Sequence, residues 1–436
     1  MANVIDKDKI SADTQKMFGR RVIKTGVTNI TSENVVDVLL KILPIHSLNR
    51  SEIDYLWQYY KGKQSILHSV NNVCPEITNK IIENRANEIV SFKVGYLCGE
   101  PIQYVGKSSE EKITRAVMRL NEFMFAEDKA SQDQEIVEWQ MICGTAYRMV
   151  LPNADSKEDG VPFELYTVDP RDTFVVYSNE IGNKPVMAVK YSKGDNESNC
   201  YSIYTENMYY LVEDGLLKES IPHALGMIPI FEYPANNARL GSFEIVLPLL
   251  DMLNNIISNR MDGVNADMNM ATADFNRTQT QTLKDDCYNA ILTICGIPNR
   301  NSCSSASDTG AAVLVRDGWS LAEVRAKDSE NMFKKSEKKT LKLVLRICRD
   351  LSYFDLHLCD ISIKFARRNY EDIQSKSQIL DMLLKNPKVH PLLAFESAGL
   401  FVDPESAYIM SMEYFEKISG NGPVAIQNAE NSKENV

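Results

Sequence analysis

The chain has 436 residues, 44% of them hydrophobic and 25% charged, enough to bury a large core in about two to three domains or one extended subunit. Its 59 acidic and 48 basic residues give a net charge of −11, which argues against a protein that grips nucleic acid through overall positive charge. No segment approaches the roughly 18 apolar residues of a membrane span, and the polar start lacks a signal-peptide core. Nine cysteines without regular spacing indicate reduced thiols, so we expect a soluble intracellular protein.

The first part of the chain is predicted to be mainly helical. Polar residues of mixed charge fill positions 1–30, which predicts an arm that becomes ordered only against a partner. Apolar positions at helical spacing predict one helix that starts near Val35 and stops at Pro44, and another over 49–60. Further helices are predicted over 75–97 and as a pair within 109–150, the second of them at Gln134–Cys143.

Between Gly144 and Pro234 the apolar period changes to that of strands. Six short runs rich in aromatic and β-branched residues are separated by turn residues, which predicts a mainly antiparallel meander. The runs are Tyr147–Leu151, Phe163–Val168, Thr173–Tyr177, Val186–Tyr191, Cys200–Tyr204 and Met208–Val212. The fold is therefore expected to be α+β, without the alternating strands and helices of a Rossmann-type core.

The remainder is predicted to return to helix. One apolar stripe starts at Phe243 and a second helix stops at Gly296, and a small, polar segment then predicts a flexible loop. Farther along we expect a long helix at Trp319–Leu351, a strand at Ile361–Phe365, a helical block at Gln374–Ile418 and a frayed tail of 18 residues.

No catalytic residue, cofactor or metal site is predicted. Gly106-Lys107-Ser108 resembles part of a phosphate-binding loop, but Pro101 stands where that motif needs its first glycine. Asp285 and Asp286 are adjacent on a helix and so face different directions. The five histidines lie in separate segments. A cytosolic α+β enzyme with a dispersed active site remains an alternative, because catalytic triads assemble from distant positions.

One stretch carries a specific resemblance. Residues 228–254, IPIFEYPANNARLGSFEIVLPLLDMLN, resemble the start of the stem helix in portal proteins of SPP1-like (Gp6-type) tailed bacteriophages. Other matching segments follow in order from about residue 55 to 418. They include Gly95-Tyr96, Gly144-Thr145-Ala146-Tyr147, Gly296-Ile297-Pro298-Asn299, Ser307-Asp308-Thr309-Gly310, Gly318-Trp319 and Asp403-Pro404-Glu405.

The resemblance implies a non-enzymatic virion protein, assembled in the host bacterial cytoplasm into a homo-oligomeric ring of typically twelve subunits at one capsid vertex. Double-stranded DNA would pass through the ring without sequence specificity during packaging and ejection. The implied partners are the large terminase subunit, the head–tail connector or adaptor, and the major capsid and scaffold proteins, with no membrane. A minor capsid or scaffold protein is a further alternative.

The resemblance also implies a division of the chain into an α/β wing, a two-helix stem, a tunnel loop, a long bent helix and a helical crown. The segments are wing 1–240, stem helix 1 at 241–268, a reduced clip at 269–277, stem helix 2 at 278–298, tunnel loop 299–312, long helix 313–352, wing return 353–370, crown 371–418 and disordered tail 419–436. Relatives carry a sizeable clip between the stem helices. The reduced clip of this sequence implies a different docking surface, a decayed prophage copy or an artificially shortened sequence.

Three groups of residues are candidates for contact with DNA or with neighbouring subunits. The tunnel loop holds one cation, Arg300, among small polar side chains that can touch phosphates without reading bases: Asn299, Asn301, Ser302, Ser304, Ser305, Ser307 and Thr309. Acidic stem residues are expected to face the channel and repel the polyanion: Asp262, Asp267, Asp285 and Asp286. The basic helix either faces DNA or, as we favour, forms ion pairs with acidic groups of the same subunit or of a neighbouring one. Its candidate residues are Arg325, Lys327, Lys334, Lys335, Lys338 and Lys339.

Overall fold

The computed structural model describes residues 19–68, 79–108, 110–153, 160–194, 197–267, 274–299, 318–366, 373–401 and 404–420. The α-helices in the described residues are α1 Val35–Tyr60, α2 Arg85–Cys98, α3 Glu111–Ala126, α4 Lys129–Cys143, α5 Leu247–Asp267, α6 Asp274–Cys295, α7 Trp319–Asp350, α8 Ile373–Leu384, α9 Pro391–Ala398 and α10 Pro404–Gly420. The strands are β1 Ile23–Thr25, β2 Gln103–Gly106, β3 Thr145–Pro152, β4 Phe163–Val168, β5 Thr173–Ser178, β6 Pro185–Lys193, β7 Asn199–Tyr204, β8 Met208–Glu213, β9 Leu216–Pro222, β10 Ile230–Pro234 and β11 Ile361–Lys364.

The strands form three sheets with the orders β1-β5-β6-β7-β8-β9, β10-β3-β4 and β11-β2. All neighbouring strands are antiparallel except β1 and β5, where Ile23 lies opposite Val176 in a parallel pair. The α+β class and the antiparallel character of the predicted sheet are confirmed. All six predicted runs are strands, but they do not form one meander, because β3 and β4 pair with β10 in a sheet of their own.

The N-terminal helix is continuous, so the predicted break at Pro44 is wrong. Proline in a helix removes one backbone donor. Here the apolar face continues across it, and Leu39, Ile42, Ile53 and Leu56 are all buried, so packing outweighs the lost hydrogen bond.

The predicted N-terminal arm is wrong for its described part, residues 19–30. Ile23 is buried in β1, and Arg20 is buried beside Glu244, with 2.5 Å between Nη2 and Oε1. An ion pair between residues 224 positions apart cannot be read from local composition. Residues 1–18 lie outside the described part.

Several helix boundaries differ from the expected ones for local reasons. The helix expected over 75–97 begins at Arg85, because the backbone N–H groups of Ile81 and Glu83 donate to side chains of α5 instead of to a helical turn. The helix expected at Gln134 begins at Lys129, where the buried side chains are charged and leave no apolar signal. The expected long helix, the strand after it and the helical C-terminal block are confirmed.

The largest apolar core joins α1 to α7, β2 to β4 and β10, and it encloses a cluster of buried charges. Glu337 of α7 lies 3.2 Å from Lys129 Nζ and 3.2 Å from Arg148 Nη1. Arg148 and Lys129 also pair with Asp133 at 2.6 and 2.5 Å. Two cations face two anions, so the cluster is neutral while its charged side chains are at most 4% exposed.

Two tyrosines complete the partners of Glu337. The hydroxyls of Tyr104 and Tyr233 donate to its two carboxylate oxygens at 2.5 and 2.6 Å. Burial raises the pKa of Glu337, but the two cations and the two hydroxyls outweigh burial and hold the pKa well below its usual value. The carboxyl is therefore ionised in the folded chain.

Substitution of Glu337 with Ala should destabilise the fold strongly. The change leaves two buried cations with one anion, and breaking a buried pair in this way costs about 3–5 kcal/mol. Urea unfolding followed by circular dichroism measures the loss. Asp350→Ala on the same helix is the control, since it removes an exposed partner of Arg346 and should cost about 0–1 kcal/mol. Equal losses in the two variants would contradict a dominant role for the buried cluster.

His46 should make stability depend on pH. Its ring stacks on Phe174 with 4.1 Å between centroids, and Nε2 lies 3.1 Å from the carbonyl oxygen of Arg171. Burial lowers the pKa of His46 from 6.5 to about 4. The folded state therefore resists protonation, and its stability is complete above pH 6.5 and falls as the pH decreases from 6.5 towards 4.

The matched variant is His46→Phe, which keeps an aromatic ring but removes the titrating group. Between pH 7 and pH 4 the free energy of unfolding of the natural chain should fall by up to about 3 kcal/mol more than that of the variant. Urea titrations at each pH measure this difference. Parallel curves for the two proteins would show that His46 does not titrate with folding.

Candidate functional site

Helices α5 and α6 form a hairpin packed along its base by apolar side chains. Leu250 and Leu253 of α5 are buried against the same core as Ile291 and Cys295 of α6. The described helices leave only residues 268–273 between them. Because α6 begins at Asp274, the expected start at residue 278 is wrong, and the junction is shorter than the predicted nine residues.

Two buried polar residues of α5 anchor the hairpin to the body. Asn254 Oδ1 accepts from the N–H of Glu83 at 2.9 Å, and Ser258 Oγ accepts from the N–H of Ile81 at 3.0 Å. Their spacing of four residues places both on one helix face. They satisfy backbone donors of a segment that has no regular structure of its own.

The second helix of the hairpin is held by charged and aromatic contacts. The guanidinium of Arg85 lies 4.3 Å from the centre of the Tyr288 ring, and the Tyr288 hydroxyl donates to Glu88 at 3.1 Å. Lys284 pairs with Glu83 at 3.4 Å. Both helices of the hairpin are thus fixed to the same short region of the chain, residues 81–88.

The C-terminal end of α6 is joined to α7 through Arg325. Its Nη1 donates to the carbonyl oxygen of Ile294 at 2.6 Å, in the last turn of α6, where cations are favourable. Gly296 follows with φ +68°, and a Cβ there would lie 2.5 Å from Arg325 Cδ. Glycine at this position therefore permits both the left-handed turn and the close approach of the arginine.

The residues on either side of the segment 300–317 also lie near each other. A Cβ on Gly318 would lie 3.9 Å from Cα of Pro298. Trp319 then packs beside Phe92 and Tyr96, with 6.1 Å between ring centroids in each pair. The chain therefore leaves α6 and returns to α7 at nearly the same point.

Most residues of the predicted tunnel loop lie outside the described part of the chain, namely Arg300, Asn301, Ser302, Ser304, Ser305, Ser307 and Thr309. Asn299 is described, and its side-chain amide donates to Asn289 at 2.9 Å. Asp262 and Asp267 lie within α5, but their side chains are not described. Asp285 and Asp286 are both exposed on α6, and Asp285 accepts from Gln281 at 2.8 Å.

The cations of the basic helix α7 fall into two groups, those that are paired within this chain and those that are exposed. Lys327 and Lys334 pair within the helix with Glu323 and Glu330, whereas Arg325 bonds to α6. The remaining candidates lie exposed on its outer surface: Lys335, Lys338 and Lys339. The structure therefore separates Arg325, which joins two helices of this chain, from a group of lysines that faces outwards.

Comparison with known proteins identifies the family. A family described as "Phage portal protein, SPP1 Gp6-like" matches residues 39–264, more than half of the chain and including most of α5. The chain belongs to this phage portal family. Members are structural components of an assembly and not enzymes, so the enzyme alternative is set aside. No curated protein sequence matches the chain.

Solved structures similar to this portal-family chain include two particle necks. "Neck of empty GTA particle computed with C6 symmetry" is 11% identical, covers 72% of this chain and 90% of its own, and has a TM-score of 0.33. "Neck of native GTA particle computed with C12 symmetry" is 12% identical, covers 72% of this chain and 89% of its own, and has a TM-score of 0.31.

Two segments that carry the portal resemblance pack on each other. Gly144 ends α4 with φ +81°, and a Cβ there would lie 2.0 Å from the carbonyl oxygen of Arg239. Its own carbonyl accepts from the N–H of Ala235 at 2.9 Å, and the N–H of Ser242 donates to Met141 at 2.7 Å. The stretch at 235–242 is thus laid over the end of α4 before it enters α5.

Within the described ranges, no group of three or more histidine, cysteine or acidic side chains is placed to hold a metal ion. The described helices also include none with the length and apolarity of a membrane span. Cys287, Cys295 and Cys348 are buried free thiols, as their apolar helix faces predicted.

Sequence reasoning missed the anchoring role of Asn254 and Ser258. The available signal was two polar residues, spaced i and i+4, interrupting an apolar stripe. No comparable signal identifies Arg325 as the residue that ends α6, because its carbonyl partner lies 31 positions away.

Substitution of Gly296 with Ala should loosen the junction between α6 and α7. The change introduces a left-handed alanine, which costs about 1–2 kcal/mol, and forces Arg325 away from Ile294. Thermal unfolding and limited proteolysis between residues 296 and 319 measure the effect. Gly215→Ala is the matched control, because Gly215 has φ +81° in open space and bears only the backbone cost. Equal effects at both positions would show that the close approach of Arg325 contributes nothing.

Proposed function

We propose that this chain forms the portal ring of a tailed bacteriophage particle, at one capsid vertex, through which double-stranded DNA enters and leaves. The observation that carries the proposal is the α5–α6 hairpin of a portal-family chain, followed by a segment whose two ends meet beside its base. A ring of like subunits places such hairpins around one axis. Twelve subunits is the expected number.

The segment at 299–312 is proposed as the tunnel loop. Its attachment supports this role, since Pro298 and Gly318 are adjacent and Arg325 fixes the end of α6. The residues that flank the segment therefore lie close together at the base of the hairpin. The segment's asparagine, serine and threonine side chains can contact phosphate and sugar without reading sequence.

Charge on the stem supports passage of DNA rather than retention. Asp285 and Asp286 are exposed on α6, and the whole chain carries −11. Duplex DNA binds cationic surfaces by releasing counterions, whereas a ring of carboxylates in the channel repels it. Asp262 and Asp267, on α5, are proposed to add to the same field.

The outward lysines of α7 are proposed to contact an acidic surface of the neighbouring subunit. Lys335, Lys338 and Lys339 are exposed in an acidic protein, and complementary charge at an interface guides correct docking. The wing is proposed to comprise 1–240 and 353–370, and the crown 371–418. Terminase, connector, capsid and scaffold are the proposed partners, and the short α5–α6 junction leaves little clip for motor or connector docking.

The variant Asp285→Lys/Asp286→Lys tests the channel. If α6 lines the bore, each ring gains cations along the path of DNA, so duplex binding should strengthen by at least about tenfold at low salt and weaken steeply with added salt. Electrophoretic shift and fluorescence anisotropy measure binding. Linear DNA should bind more tightly than closed circular DNA, because only a free end can thread a ring.

The control is Glu111→Lys/Glu122→Lys, which makes the same charge change on α3, away from the hairpin. Equal gains for both variants, or equal binding of linear and circular DNA, would contradict a channel position for α6. Negative-stain images provide the second readout. Rings with a central hole support the portal assembly, whereas assemblies without a hole favour the minor capsid or scaffold alternative.

A further inference from the structure

A small cavity lies where helices α2, α6 and α7 meet. It is lined by Lys93 and Tyr96 of α2, by Gly296 directly after α6, and by Arg325 and Ser329 of α7. Its volume is about 40 Å³. On the same measure a single water molecule needs about 10–15 Å³. The cavity therefore has room for a few water molecules or for one small polyatomic ion.

Two cations line this cavity, and they come from different helices. Arg325 donates through Nη1 to the carbonyl oxygen of Ile294, which uses one of the five N–H donors of its guanidinium group. Lys93 is partly buried and has neither a hydrogen bond nor an ion pair among the described residues. The ammonium group of Lys93 is therefore drawn away from water without a partner in this part of the chain.

No acidic side chain of the cavity wall balances these two cations. None of the described residues that line the cavity is an aspartate or a glutamate. Glu323 of α7 is close to Arg325 in sequence, but it accepts from the Tyr96 hydroxyl at 2.8 Å and lies 3.8 Å from Lys327 Nζ. Buried charges in proteins are normally paired, so the wall of this cavity lacks an anion.

The surroundings of Lys93 penalise its charged form. Burial lowers the pKa of Lys93, the Cys295 sulfur opposes this effect, and Arg325 lowers the pKa further. An anion between the two cations would screen their repulsion and supply the missing counter-charge. The rival account is an uncharged amine at Lys93, which needs no ion.

We propose that this cavity binds one small tetrahedral oxyanion of the phosphate class, held between the ammonium group of Lys93 and the guanidinium group of Arg325. A planar guanidinium presents paired N–H donors that match two oxygens of such an ion, and an ammonium adds a compact point charge. A free ion fits better than a phosphate of duplex DNA, because the two sugars of a phosphodiester need more room than about 40 Å³.

A bound ion would join three helices at the base of the hairpin. Lys93 belongs to α2 and Arg325 to α7, while Arg325 also holds the last turn of α6. A ligand that binds only the folded protein stabilises it in proportion to the logarithm of its concentration above Kd. Phosphate should therefore strengthen this junction. The inference concerns a single subunit and does not depend on the proposed ring.

Thermal unfolding of the full-length chain provides the test, in sodium phosphate and in sodium chloride of the same pH and ionic strength. The midpoint should rise by roughly 1–3 °C when phosphate is about tenfold above its Kd. Isothermal titration calorimetry with inorganic phosphate should show binding at a single site per chain. Phosphate also stabilises proteins in general because it is excluded from their surfaces, so variants must identify the site.

The decisive variant is Lys93→Met, which keeps the aliphatic stem and removes the ammonium group. In chloride it should unfold at the same temperature as the natural chain or higher, because the repulsion from Arg325 is gone. It should also lose the phosphate-specific rise and the calorimetric binding. Lys93→Arg keeps the positive charge and should retain part of the response. The matched control is Lys112→Met on α3, which removes an exposed lysine outside the cavity and should respond like the natural chain.

Three results would overturn the inference. A natural chain that shows no phosphate-specific stabilisation or binding has no such site, and Lys93 is then an uncharged amine. An equal response in the natural chain and in Lys93→Met would reduce the effect to general exclusion or to binding elsewhere. A short DNA duplex that gives the same Lys93-dependent stabilisation would make nucleic acid, and not a free ion, the occupant. Failure of the chain to form rings would leave this site untouched, so the two proposals are tested separately.

Discussion

Glu337 is the point at which the body of the molecule is joined. Its carboxylate receives Lys129 from α4, Arg148 from β3, and the hydroxyls of Tyr104 from β2 and Tyr233 from β10. Five elements from distant parts of the chain therefore meet at one neutral, almost fully buried group of charges. Such a cluster is costly to desolvate, and removing any one of its charges would leave an unmatched charge in the core.

The position of the hairpin and of the loop ends follows from this constraint. The cluster fixes the middle of α7, and the same helix carries Trp319 and Arg325 near its start, where they contact α2 and the end of α6. The polar anchors Asn254 and Ser258 fix α5 to the segment before α2. The base of the hairpin is therefore fixed to the body at α5 and at the end of α6.

The C-terminal unit, residues 373–420, differs from the body in how much of its apolar surface is buried. The body is closed by buried charge pairs and a large apolar core, whereas residues 373–420 expose most of their large apolar side chains. The apolar side chains of the body are therefore covered mainly by this chain itself, whereas many of those described in the C-terminal unit are open to solvent.

Local pattern determined much of this protein: the α+β class, the six strands between residues 145 and 213, the long helix from Trp319, and the family, whose motifs are short and contiguous. Tertiary structure alone decided the rest. The helix through Pro44, the strand at Ile23, the split into separate sheets and the role of Arg325 each depend on partners far away in sequence. Periodicity records which face of an element is apolar, but an ion pair such as Arg20 with Glu244 leaves no periodic signal, because one charge looks the same in the sequence whether it meets water or a buried counter-ion.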